Sequence, residues 1–424
     1  MEQKIYWENK IFFGEHNNST WDEVYEEKNK DLKSLLDHGL HKIAFSIENS
    51  HDAVGAVAYL NRKKADGLIL THERLNENIR AILSDNGYSI IGKPINVSDD
   101  VIANKIEEVV PGRISMLTSG TTGIPKLIEH TWNTLNTFQN VKKSNPLKWM
   151  VPYNPGTYAW YQMICMGLFL EGQELVFPLS AEPAEMLLQA SHHNVTAISS
   201  TPTFWRMAFL GLNEKDLKGI PFKQISLGGE AADQSVLDHL REIYPDAAIF
   251  HIYASTEAGA CIVVKDGKQG FPEKWIDNKK MKIVGNHLYL KSIFSAISID
   301  KDKENWIDTG DLVEIRKDRV LFLGRDKTNM INVGGSKAYP VDIESLILRN
   351  SKVLWCRVYP RKAPLVGFLV AADIVLKNNI KFTADIEKEL ETLCRENCPE
   401  FAVPRIWNNL SEIPVGYNLK AEIK

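Results

Sequence analysis

The chain has 424 residues, 44% hydrophobic and 25% charged, an ordinary globular composition with length for two or three domains and a sizeable core. Fifty basic residues against 54 acidic ones leave a net charge of -4; this excludes a general nucleic-acid binder built on a basic surface, though not a protein that holds a small anion. The opening MEQKIYWENK has no continuous apolar stretch of secretory type, the longest apolar runs fall short of a membrane span, and five cysteines without a Cys-x-x-Cys pair argue against a zinc or disulfide framework and for a reduced, cytoplasmic setting.

In chain order, apolar β-rich segments at 42–47, 67–70, 196–199, 224–227 and 248–253 are expected as strands. Helices are expected between them over 182–191, 202–210 and 233–244, the last with Val236, Leu237, Leu240 and Ile243 on one face. Such alternation predicts an α/β fold: parallel sheets with covering helices. From about 280 to 323 short strands with charged turns predict a β-rich subdomain. The last hundred residues predict a small α+β C-terminal domain. It has a helix opening at Pro340, strands over 353–358 and 365–371, and a helix over 384–396 with Ile386, Leu390 and Leu393 at core spacing.

One segment carries chemistry. The apolar run from Ile114 leads into Thr118-Ser119-Gly120-Thr121-Thr122-Gly123-Ile124-Pro125-Lys126. Glycines let backbone N–H groups approach an anion, hydroxyls add donors, and Lys126 brings a compact positive charge. The loop is not a Walker loop, since Pro125 stands where that pattern needs glycine and no Lys-Ser or Lys-Thr follows. Its ordered composition predicts phosphate binding rather than a loose surface loop.

The 118–126 segment resembles the signature loop of the AMP-forming adenylating superfamily, which includes acyl-CoA synthetases, adenylation domains of nonribosomal peptide synthetases and firefly luciferase. Further segments agree in order: His251-Ile252-Tyr253-Ala254-Ser255-Thr256-Glu257, Thr309-Gly310-Asp311, the run Gly324-Arg325-Asp326 to Gly334-Gly335, and Pro414 to Lys420. The resemblance spans nearly the whole chain. It implies a large N-terminal domain over 1–325 and a small, mobile domain over 326–424, turning at a hinge on Asp326. It also implies that ATP is the substrate, Mg²⁺ the metal, and a small carboxylic acid the group activated.

The roles implied by the resemblance fall residue by residue. Thr118, Ser119, Gly120, Thr121, Thr122, Gly123 and Lys126 would hold the β- and γ-phosphates. Thr256 would contact the α-phosphate and Glu257 would help bind Mg²⁺; by themselves these two read equally as a capped helix start. Asp311 and Arg325 would hold the ribose, Tyr253 would stack on adenine, and His251 would sit near its amine. Gly228 and Gly229 would let adenine and acyl group approach, beside Glu230. Lys420 would bridge the acyl carboxylate and phosphate, although Leu419 replaces the usual glycine before it. Gly334 and Gly335 would line a thiol tunnel.

The aromatic segment from Tyr153 and Asn154 through Tyr158 to Trp160 reads either as an acyl pocket or as core packing. It holds no aspartate to pair with an α-amino group, which favours an acid without one. Coenzyme A and a separate acyl carrier protein stay open as acceptors, no carrier domain being expected after Lys420. An acceptor other than a thiol, and a non-catalytic nucleotide-binding relative, are the alternatives.

Overall fold

Aliphatic and β-branched runs separated by helical segments bury their apolar faces by stacking sheets and helices in layers. The computed structural model describes residues 4–14, 17–36, 42–92, 112–118, 125–141, 144–325, 330–363, 367–377 and 380–415. One sheet of five strands runs Ser89–Ile91, Lys42–Ile47, Asp66–Thr71, β1 (Arg113–Thr118) and β2 (Lys126–Thr131); all junctions are parallel except the last. A second sheet of eight strands is parallel through its six central strands and antiparallel at both edges.

Two helices lie in the apolar cluster that joins these sheets. Ser50–Lys63 is buried continuously from Asp52 to Asn61. Its alanines, valines and Gly55 give it no bulky face, so neighbours can close in on every side. The second, α1 (Tyr158–Phe169), is apolar all round, and the Thr157 side chain caps it by accepting from the Trp160 amide. On the outer face of the eight-stranded sheet, α2 (Pro202–Gly211) packs in a second cluster with the helices Pro183–His192 and Gln234–Ile243.

Three strands of that sheet bound the functional region: β3 (Gln224–Gly228), β4 (Ala248–Ser255) and the edge strand β5 (Gly259–Val264). The expected β-rich subdomain is a five-stranded antiparallel sheet whose longest members are β6 (Ile307–Arg316) and β7 (Arg319–Arg325).

The smaller C-terminal domain has its own core. It opens with α3 (Pro340–Ile347), followed by the paired strands Val353–Ala363 and Gly367–Leu376. The second strand runs to Leu376, further than the expected end at 371, and residues 365 and 366 lie outside the described residues. The polar Asp373 reads as an end, yet it is buried and satisfied by Arg357, the Tyr359 hydroxyl and the Asn408 amide at 2.7, 3.1 and 2.9 Å. In the helix Ala384–Asn397 the innermost positions are Ile386, Leu390 and Cys394, with Leu393 only half-buried. The small domain docks on the large one by packing Leu354, Trp355 and Ile413 against Met207, Phe209 and Leu210 of α2 and its end. Arg316 on β6 adds a bidentate pair to Asp342 at 2.6 and 2.7 Å. Among the described residues no helix is long and apolar enough to cross a membrane.

Candidate active site

The site is organised by β4. Side chains alternate along a strand, so Phe250, Ile252 and Ala254 share one face while His251 and Tyr253 share the other. The first face borders a cavity of about 1680 Å³ between the eight-stranded sheet and α1. Thr118, Gly228, Gly229, Thr256 and Glu257 gather at the end of this cavity where β3 and β4 finish. The structure thus brings together residues drawn from three separate motifs. Gly229 has φ +81, a conformation that glycine adopts at little cost.

The loop between β1 and β2 is closed by its own flanks, because Thr118 and Lys126 are register partners in the hairpin. Ser119, Gly120, Thr121, Thr122 and Gly123 lie outside the described residues, as do Asp326 and Lys420, and the side chain of Arg325 is likewise outside them.

On the opposite face of β4, the Tyr253 ring stacks on Phe322 with centroids 4.6 Å apart and planes 14° from parallel. Its hydroxyl donates to the Asp311 carboxylate. Burial, and then the Asp311 charge, push the Tyr253 phenol well above its ordinary range, so it stays protonated and donates. Asp311 is the backbone register partner of Arg325, which places both expected ribose ligands at one point of the β6–β7 ladder. His251 lies differently from expectation: its Nε2 meets the Lys268 carbonyl at 2.8 Å, and burial lowers its basicity, so the imidazole is engaged by its own chain.

His130, at the end of β2, went unnoticed in the sequence. It is completely buried, with Nε2 2.7 Å from the Thr256 carbonyl and Nδ1 2.9 Å from the Thr134 hydroxyl. Burial pushes its pKa down to about 4, so the ring is neutral and Nε2–H donates to Thr256. The Ala296 amide donates to the next carbonyl, that of Glu257, at 2.9 Å. The turn carrying Thr256 and Glu257 is therefore pinned from two sides. The sequence signal was faint: a histidine on an apolar strand, four residues before a threonine that can orient it.

Of the aromatic segment, Tyr153 and Tyr158 line the cavity, and the Tyr153 hydroxyl lies 3.2 Å from that of Ser199. Trp160 does not line it; it is fully buried in the main core, edge-on to Tyr161, so the packing reading holds for that residue. Asn154 is also absent from the walls, whereas Gly156 is present. Glu230 accepts from the Thr203 amide and hydroxyl, both at 3.0 Å, and so caps the start of α2. Gly334 and Gly335 form the exposed tip of a hairpin, with the Gly335 amide donating to Asn332 Oδ1 at 2.9 Å, and they are not part of the cavity wall. Among the described residues no cluster of three His, Cys, Asp or Glu side chains could hold a metal, and Glu257 is the one carboxylate on the cavity wall.

A family model described as AMP-binding enzyme matches residues 92–288. Over this stretch, which takes in β1 to β5, the chain resembles AMP-binding, adenylate-forming ligases. A 2-succinylbenzoate–CoA ligase of Bacillus subtilis is 23% identical to it, covering 93% of this chain and 90% of the relative. A 3,4-dihydroxybenzoate–[aryl-carrier protein] ligase of Bacillus anthracis is 22% identical, over 92% of this chain and 91% of that protein. The crystal structure of an anthranilate–CoA ligase in complex with anthranoyl-AMP superposes with a TM-score of 0.77 at 17% identity, covering 97% of this chain and 92% of the other, a likeness of fold.

Proposed function

We propose that this chain joins a carboxylic acid to a thiol through an acyl adenylate. A carboxylate oxygen attacks the α-phosphorus of ATP, the bond to the β-phosphate oxygen breaks, and pyrophosphate leaves. The thiol, of coenzyme A or of carrier-protein phosphopantetheine, then attacks the acyl carbon and AMP leaves. The observation that carries this reading is the meeting of Thr118, Gly228, Gly229, Thr256 and Glu257 at one end of the cavity, with Tyr253 and Asp311 paired on the other face of the same strand.

Two anions must be brought together, so donors and cations around the phosphates matter more than covalent help. Lys126 and the glycine-hydroxyl loop supply them for the departing phosphates, the Thr256 hydroxyl serves the α-phosphate, and Lys420 bridges the two reactants. Asp311 with Arg325 holds the ribose. Glu257, a single carboxylate beside the phosphate end, suits Mg²⁺, which takes few protein ligands besides phosphate oxygens. When bound, the ion neutralises charge on the phosphates. The lack of an aspartate in the segment from Tyr153 to Tyr161 favours an acid without an α-amino group. A reduced cytoplasmic setting fits five cysteines that are all unpaired.

Carboxylate-dependent ATP–pyrophosphate exchange tests the first half-reaction. Exchange that follows one class of acid and falls by a factor on the order of 10²–10³ in Lys420→Ala supports the assignment; full exchange in that variant moves the bridging role to another residue. Thiol-dependent AMP release, with coenzyme A set against a phosphopantetheinylated carrier, tests the second.

A further inference from the structure

The cavity runs from the Thr118 end, where Arg74 on its wall donates to the Leu117 carbonyl at 3.3 Å, to a far end that carries two further cations. β5 runs back along β4 with Val264 opposite His251, which sets Lys265 beside Phe250, six residues before Thr256. Six residues of strand span about 20 Å. The floor between is Phe250, Ile252 and Ala254, and Met163, Met166 and Leu170 of α1 and its end cover it.

Several polar groups along this length are satisfied within the wall, although the Tyr158 hydroxyl has no hydrogen-bond partner among the described residues. Tyr153 is hydrogen-bonded to Ser199, Thr137 donates to Gln162 at 2.8 Å, and Gln162 in turn donates to the Leu135 carbonyl at 2.9 Å. Gln173 accepts from the Trp149 indole and donates to the Asn145 carbonyl, both at 2.9 Å. An occupant therefore meets an apolar middle.

The far end is cationic. Lys223, just before β3, and Lys265 both border the cavity there, and both are exposed. Among the described residues neither is ion-paired; Lys265 lies over the Phe250 ring, 4.9 Å from its centroid, and Glu257 at the opposite end is the only carboxylate on the wall. We propose that the acyl substrate is a long acid with an apolar body and a second anionic group at its far end, which Lys223 and Lys265 receive. This rests on the adenylation reading above, since the first carboxylate must reach the Thr256 end.

The test is ATP–pyrophosphate exchange with α,ω-dicarboxylic acids of rising chain length, each beside the monocarboxylic acid of equal length. Wild type is expected to prefer the long diacid by about three- to tenfold in kcat/KM, the scale of two partly exposed ion pairs. That preference should shrink as ionic strength rises. In the double variant Lys223→Ala/Lys265→Ala the diacid-to-monoacid ratio should fall to about one. In Lys223→Glu/Lys265→Glu it should invert, with ω-amino acids now favoured; both lysines are exposed, and circular dichroism checks that the variants fold. A wild-type ratio at or below one at every length, or one unchanged in both double variants, overturns the inference and leaves adenylation standing. Silence with every acid, in protein that still binds ATP by calorimetry, removes the adenylation reading and this inference with it.

Discussion

His130 shows how a side chain outside every motif can fix the backbone of one that carries a proposed site. It holds the Thr256 carbonyl, and without it a part-buried acceptor loses this partner. We expect His130→Ala to cost about 1–3 kcal/mol of stability and to lower exchange activity, and His130→Gln, which can still donate, to restore much of both. The imidazole has a folded pKa of about 4 against 6.5 when free. Its contribution is therefore complete above about pH 6.5 and is lost as the pH falls towards 4. The melting-temperature deficit of His130→Ala should be largest near neutral pH and shrink on acidification; a deficit independent of pH would detach it from the imidazole's titration. Tyr253 and Asp311 stood out in the sequence because each sits in a recognisable motif, and the structure pairs them. His130 was not, since a single buried histidine has no pattern until a carbonyl distant in sequence arrives beside it.

Among the elements, the segment leading into α1 depends on backbone space. Gly156 has φ +81, and a Cβ placed there would lie 1.9 Å from the Ile69 carbonyl oxygen on the facing sheet. Gly156→Ala must therefore push this turn away from the strand that carries Ile69, and we expect a loss of about 3 kcal/mol or more. Gly334→Ala, at φ +57 with open space around it, should cost only about 1 kcal/mol. Urea unfolding of both separates steric contact from backbone strain; equal losses would refute the contact. The parallel sheets and their covering helices could be read from sequence because period and turn residues agree there. The second strand of the small domain was expected to stop at 371, but it runs on through Asp373, whose buried carboxylate is met by three donors distant in sequence. The aromatic run before and within α1 was ambiguous for a similar reason: pocket walls and core draw on the same residue types, and only the helix decides that Tyr158 faces the cavity while Trp160 faces the core.

At the scale of the molecule, the docked domains share a buried carboxyl. Glu344 on α3 accepts from the Val358 amide at 2.7 Å, and burial pushes its pKa up to about 7 against the pull of Arg206 on α2 and of Arg357. A raised carboxyl pKa gives stability that is full below the ordinary value of 4.5 and is lost as the pH rises towards 7. Glu344→Gln should accordingly melt a few degrees above wild type at mildly alkaline pH, with the gap closing under acid conditions; a gap that persists there would assign the effect to packing. If the domains turn at Asp326, as the adenylation reading proposes, Asp326→Pro should spare pyrophosphate exchange while reducing thioester formation, and equal loss of both in folded protein would count against the hinge. The two domains could be foreseen, but not the face on which they meet. Leu354, Trp355 and Ile413 look alike in sequence whether their own domain or its neighbour covers them.

The alternation of β4 has a consequence for descent. Even-numbered positions from Phe250 to Ala254 border the cavity, while odd-numbered Tyr253 lies on the side of Asp311. Substitutions can accumulate on one side without being felt on the other, so, on the proposed function, a lineage can change the acid it accepts while its nucleotide chemistry is inherited unaltered. An insertion or deletion of one residue in this strand, by contrast, would exchange the two sides at once and is the change such a lineage could least survive.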